Sequence, residues 1–172
     1  QIDGGDFHVV AVKANGTLAA WGDNSNGQAT APPGVTNAIQ VSAGEDHSLA
    51  LLSTGKVIAW GGNASFQIAV PATLSDVISI AAGRYCSVAL KADGTVIGWG
   101  DDKYGQASVP PGLAGVTAIS AGEDHSMALL STGRVVMWGR NTFGQINVPR
   151  GLTNVTQIGT GQYTTAVLRS DG

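Results

Sequence analysis

The chain has 172 residues, 43% of them hydrophobic, so it can build a core. Only 12% are charged, the net charge is −3 and the nine basic residues are scattered. That argues against a nucleic-acid partner, which needs clustered Lys and Arg, and no apolar run is long enough to insert into a membrane.

In chain order, the opening Gln1-Ile2-Asp3-Gly4 is polar, so no signal peptide is expected here; one removed by processing would leave no trace. Asn15-Gly16 has the chemistry of a hairpin turn, because both residues tolerate positive φ. His47–Leu52 and Lys56–Trp60 are short apolar segments predicted as strands, joined at the tight turn Ser53-Thr54-Gly55. Val77–Ala82 is predicted as another strand, leading into Gly83. Asp93-Gly94 repeats the stronger form of the hairpin turn. Gly105–Pro110 is predicted as a short outer strand, since Pro suits an edge. No segment has the 3.6-residue amphipathic period of a helix.

These elements recur. Trp21, Trp60, Trp99 and Trp138 stand 39 residues apart, each followed by Gly. Gly5, Gly44, Gly83, Gly122 and Gly161 keep the same period, as do Gly16, Gly55, Gly94, Gly133 and Gly172, then Gln28, Gln67, Gln106 and Gln145, and Pro32, Pro71, Pro110 and Pro149. A second period of 78 returns Gly44-Glu45-Asp46-His47-Ser48 as Gly122-Glu123-Asp124-His125-Ser126, as if a two-repeat unit had been duplicated. A fixed period in this range means a solenoid, propeller or array, and three or four short strands per period make a propeller blade. The fold expected is all-β: blades of 39-residue repeats at about 5–43, 44–82, 83–121 and 122–160 with a partial fifth at 161–172, in one domain over 1–172.

The pattern G-x-x-H-S-h-A-L followed by V-h-x-W-G-x-N-x-x-G-Q, with h apolar, resembles the regulator of chromosome condensation repeat over essentially the whole chain. Its x-x-V-P and L-x-x-V ends look closer to bacterial versions. The resemblance implies a β-propeller, typically of seven blades, in a family that includes secreted propellers that inhibit β-lactamases and an exchange factor for the GTPase Ran. Seven such blades need about 270 residues. The chain is therefore expected to be a piece of a longer propeller, or to self-associate to complete the ring. An extracellular or cell-surface location is favoured by the same resemblance.

Function is expected where the repeats differ. The loop before the first hairpin strand and the loop after the second come together at one end of each blade, because the strands are antiparallel. The first series holds Asp6-Phe7, Glu45-Asp46, Arg84-Tyr85, Glu123-Asp124 and Gln162-Tyr163. The second holds Asp23-Asn24-Ser25-Asn26, Asn63-Ala64-Ser65-Phe66, Asp101-Asp102-Lys103-Tyr104 and Arg140-Asn141-Thr142-Phe143. Varied loops on a fixed scaffold suggest a recognition surface, with Phe7, Arg84, Tyr85, Tyr104, Phe143 and Tyr163 as anchors. The bland alternative is that loops vary because nothing constrains them.

Residues that keep the beat are expected to build blades. His8, His47 and His125 share their phase with Cys86 and Thr164, one position per blade, which suits buried hydrogen-bonded side chains rather than metal ligands. Cys86 reads as a small buried substitute for that His, and the four Trp as core pillars. Glu45-Asp46 and Glu123-Asp124 lack a calcium-loop pattern and read as solvated carboxylates that help select a basic partner. Three glycosylation sequons, at Asn15, Asn63 and Asn154, carry little weight in a chain so rich in Asn, Ser and Thr. Hydrolase, phosphate-loop and metalloprotease motifs are absent, and no catalytic residue, cofactor or metal is expected. The function expected is a non-catalytic protein-binding propeller. The competing readings are a carbohydrate-binding surface module, a GTPase exchange factor and a structural array.

Overall fold

A computed structural model describes residues 1–171. It is all-β: five small antiparallel sheets follow one another along the chain, and no helix is long and apolar enough to cross a membrane among the described residues. The first sheet is β1 (Ile2–Gly4), β2 (His8–Val12) and β3 (Leu18–Gly22). The second is β4 (Ala38–Ala43), β5 (His47–Leu52) and β6 (Val57–Gly61), and the third is β7 (Val77–Ala82), β8 (Cys86–Lys91) and β9 (Val96–Gly100). The fourth is β10 (Val116–Ala121), β11 (His125–Leu130) and β12 (Val135–Gly139); β13 (Val155–Thr160) and β14 (Thr165–Arg169) form the fifth. Each sheet is a propeller blade. The strand that closes each sequence repeat is the innermost strand of the next blade, so Val77 at the start of β7 pairs with Lys91 at the end of β8. Gly172, the fifth hairpin glycine of the period, lies outside the described residues.

The hairpins form where the sequence places them, but by a different device. Gly55 N–H donates to Leu52 O (2.9 Å) and Leu52 N–H to Lys56 O (2.9 Å), and only the glycine takes positive φ (76°). This is a three-residue loop closed by a glycine bulge. Asn15 and Asp93 are not in the positive-φ region. Their side chains accept from the Thr two residues on instead: Asn15 Oδ1 from Thr17 N (3.2 Å), and Asp93 Oδ1 from Thr95 N (3.0 Å). That is the Asx-turn role of these residues.

The outer strand expected over Gly105–Pro110 is not formed. The amides of Gly105 and of residues 107–109 are satisfied within the loop, so they are not free to join a ladder. Ala107 N and Ser108 N donate to Asp102 Oδ1 (2.8 and 2.9 Å), Val109 N donates to Ala107 O (3.1 Å), and Pro110 has no N–H. Each blade has three strands at most among the described residues. The innermost strands of the second to fifth blades also carry a bulge, which turns Ile39 and Ile78 out to solvent.

The core lies between blades. Leu49 and Leu51 of β5 pack with Val77, Ile80 and Ala82 of β7 and Trp99 of β9, and equivalent slabs fill the other gaps. A blade covered on both faces has buried residues throughout its middle strand, which is why His47–Leu51 shows no in–out alternation. The innermost strands crowd together around the axis. A Cβ on Gly83 would stand 2.6 Å from Gly122 O of the next blade, so only glycine fits there.

Candidate functional site

The two loop series meet at one end of each blade and are tied by one backbone hydrogen bond. Asp23 N donates to Phe7 O (2.8 Å), Gly62 N to Asp46 O (2.7 Å), Asp101 N to Tyr85 O (2.8 Å) and Arg140 N to Asp124 O (2.8 Å). A buried Gln then shapes the second loop. Gln106 Oε1 accepts from Tyr104 N (2.8 Å) and its Nε2 donates to Asp101 Oδ2 (2.6 Å). Gln28, Gln67 and Gln145 accept in the same way from Asn26, Ser65 and Phe143. The recurring Gln therefore holds a varied tip in a fixed backbone, which is what a recognition loop needs.

Four candidate residues brace their own loops. Asn24, Asn63, Asp102 and Asn141 each accept a backbone N–H from five residues on, at 2.8 to 3.3 Å. Asn26 is exposed, its backbone N held by Gln28. Asp46 accepts from Gln67 Nε2 (3.0 Å).

Most of the remaining candidates gather in two places. At the axis, Asp6, Glu45, Arg84, Glu123 and Gln162 line one opening. Arg84 bridges Glu45 of the second blade and Glu123 of the fourth, and lies 5.0 Å over the Tyr85 ring. Tyr85 OH donates to Glu45 Oε1 (2.8 Å), and burial, then Glu45, raises its pKa. Farther out, Arg140 pairs with Asp124 (3.0 Å) and lies over Tyr104 (4.8 Å) and Phe143 (5.6 Å). Phe143 meets Tyr163 edge to face at 5.2 Å, and Lys103 lies 5.1 Å from the Tyr104 ring. Three blades thus contribute to one patch of rings and cations, with Tyr104 37%, Phe143 65% and Tyr163 40% exposed. Phe7 and Phe66 stand apart from it, both exposed. All three Phe and all three Tyr of the chain are in these loops and none is in the core.

The beat hides one unusual residue. Phe66 occupies the phase of Gly27, Gly105 and Gly144, and it keeps their backbone at φ 61°. A bulky residue with positive φ is strained and is worth attention as a functional position. A Cβ at Gly27 or Gly105 would meet nothing within 4 Å, so the cost is in the backbone alone. Phe66→Gly is expected to stabilise the chain by about 1 kcal/mol in urea unfolding. No change, or a loss, would show that the ring is held by contacts worth more than the strain.

Residues 1–28, 38–67, 77–106 and 116–145 match the Regulator of chromosome condensation (RCC1) repeat. Each match takes in the strands and the Gln loop, about 30 residues of the 39-residue period; the rest is linker. No curated protein sequence matches the chain significantly. Among solved structures, the ectodomain of the Physcomitrella patens receptor kinase CR4 is similar, with 29% identity and a TM-score of 0.81 over 99% of this chain and 49% of that one. Prp20p from Saccharomyces cerevisiae, described with its binding to Gsp1p and histones, gives 18% identity and a TM-score of 0.83 over 99% and 56%. Human WBSCR16 gives 21% and 0.81 over 99% and 59%. The chain therefore spans about half to three-fifths of these chains.

Proposed function

The chain belongs to the regulator of chromosome condensation repeat family, and from that premise we propose that it is a non-catalytic β-propeller module that binds a protein partner through the loop end of its blades. The observation that carries this reading is the patch of Tyr104, Arg140, Phe143 and Tyr163. It joins exposed rings to a guanidinium across three blades. Aromatic and Arg side chains dominate binding energy at protein interfaces, the rings because they bury large area at low entropic cost and the guanidinium because it stacks and donates several hydrogen bonds in a fixed plane. Backbones fixed by the buried Gln lower that cost further. Yeast RCC1 (Prp20), whose fold this chain shares, has been solved with Kap60 bound, which supports a protein partner for a chain of this fold without identifying one here.

The test is capture of a partner by the chain, repeated with Tyr104→Ala and Phe143→Ala. Each substitution is expected to weaken binding about 30-fold, the equivalent of about 2 kcal/mol at an interface hot spot. Binding that survives substitution across the whole loop end overturns the proposal.

A further inference from the structure

Charge is divided between the two ends of the blades. The two loop series carry eight of the twelve carboxylates but only Arg84, Lys103 and Arg140 of the nine cations. The hairpin end carries Lys13, Lys56, Lys91, Arg134 and Arg169. The loop end is therefore the negative pole, and it attracts partners presenting positive charge.

The axial opening lies at the centre of that pole. Its neck is made of glycines too close to the neighbouring blade to carry a side chain, so the groups that follow them control it. Glu45 uses both oxygens: one accepts from Tyr85 OH and the other from Arg84 Nε. Glu123 is only 6% exposed and uses one, with Oε1 accepting from Arg84 Nη1. Its Oε2 is buried and accepts no hydrogen bond of normal geometry, although the Tyr163 hydroxyl stands close enough for Glu123 to raise the Tyr163 pKa. One guanidinium thus serves two carboxylates from alternate blades, and a desolvated acceptor is left over. A buried carboxylate oxygen without a donor is costly, and a guanidinium, with five N–H groups in a planar fork, is the side chain best shaped to supply one.

We infer that the axial opening is a receptor for an arginine side chain of the protein partner, occupied in the free chain by Arg84 as an internal stand-in. The inference rests on the protein-binding reading above and supplies its chemistry: the partner presents arginine to the axis while the Tyr104–Phe143 patch holds the flank. Arg84 competes with the partner, so its removal strengthens binding.

The test uses labelled hexa-arginine as the probe, with hexa-lysine for comparison, against the whole chain. Arg84→Ala and Arg84→Gln are expected to bind hexa-arginine about tenfold more tightly than the unaltered chain, as expected for one freed charge-assisted contact. Hexa-lysine should gain less, and Glu45→Gln with Glu123→Gln should abolish the gain. Asp93→Asn, at the hairpin end, should change nothing. Equal or weaker binding by the Arg84 variants, or a gain that survives loss of both Glu, overturns the inference. Should both Arg84 variants fail to fold, Glu123→Gln alone decides: it binds hexa-arginine more weakly than the unaltered chain does, or the inference falls. A partner that depends on Tyr104 and Phe143 while hexa-arginine ignores the opening removes this inference and leaves the protein-binding reading intact. The reverse pattern, with the arginine site present and no loss in the aromatic variants, removes the broader reading.

Discussion

Trp99→Ala is expected to cost ~3–5 kcal/mol of unfolding free energy, while Trp21→Ala, at the same phase of the repeat, costs about 1 kcal/mol or less. The difference comes from what stands in front of each ring. Trp99 is 8% exposed and packs on Leu49 and Leu51 of the preceding blade. Its Nε1 donates to Gln67 O (2.9 Å), which also accepts from Ser87 Oγ (2.9 Å), and Ser87 Oγ meets His47 Nε2 (3.0 Å). His47 and Gln67 belong to the second blade, Ser87 and Trp99 to the third. The four residues thus stitch one blade to the next. His8, Gln28, Ser48 and Trp60 repeat the stitch one blade earlier. Trp21 is 49% exposed and has no such acceptor. Urea unfolding of the two variants checks this, and equal losses would show that the ring stabilises its own sheet rather than the junction.

Much of the fold is legible in the period, because a blade is a local unit and its turns are written in Gly. The glycines, the Trp and the three strands follow from sequence alone. The fourth strand does not, because Gly105–Pro110 has the composition of an edge strand. What prevents it is the Asp102 carboxylate, which takes the amides a ladder would use. Direction across the junction was also hidden: the beat marks His, Ser, Gln and Trp as structural, but not that Trp60, Trp99 and Trp138 reach backward to the Gln carbonyl 32 residues earlier. At the loop end, the sequence nominates two series of loop residues by their variation. The structure separates those that brace their own loops, such as Asn63 and Asn141, from those that gather, such as Tyr104 and Phe143. Phase could have found one more feature, since Phe66 stands where the other repeats have Gly. The pairing of Glu45 with Glu123 through Arg84 could not be read, because it depends on how alternate blades converge on the axis.

Acid is expected to loosen the junctions between blades. Ser87 Oγ gives its proton to Gln67 O, so His47 Nε2 must donate to Ser87 and carry the ring proton. The other nitrogen, Nδ1, is buried without a hydrogen-bond partner, and Asp46 Oδ1 stands 4.0 Å away, beyond bonding reach. A second proton on this ring would be a desolvated charge with nothing to receive it. Burial first, and then repulsion from His8, accordingly push the His47 pKa from 6.5 to about 3. His8 and His125 shift the same way, each chiefly through burial. Between pH 6.5 and about 3 the unfolded chain binds protons that the folded chain refuses, so stability rises with pH across that window. It is complete above 6.5 and falls as acid is added, by up to about 1.4 kcal/mol per pH unit for each excluded histidine. Urea unfolding from neutral pH down to about pH 4 should show this slope. His47→Gln should flatten it, because an amide can keep the hydrogen bond to Ser87 but takes up no proton. A stability that stays level across the window would mean that the junction opens enough to hydrate the ring. An unchanged slope in His47→Gln would move the effect to His8, at the preceding junction, and His125, at the junction of the fourth and fifth blades.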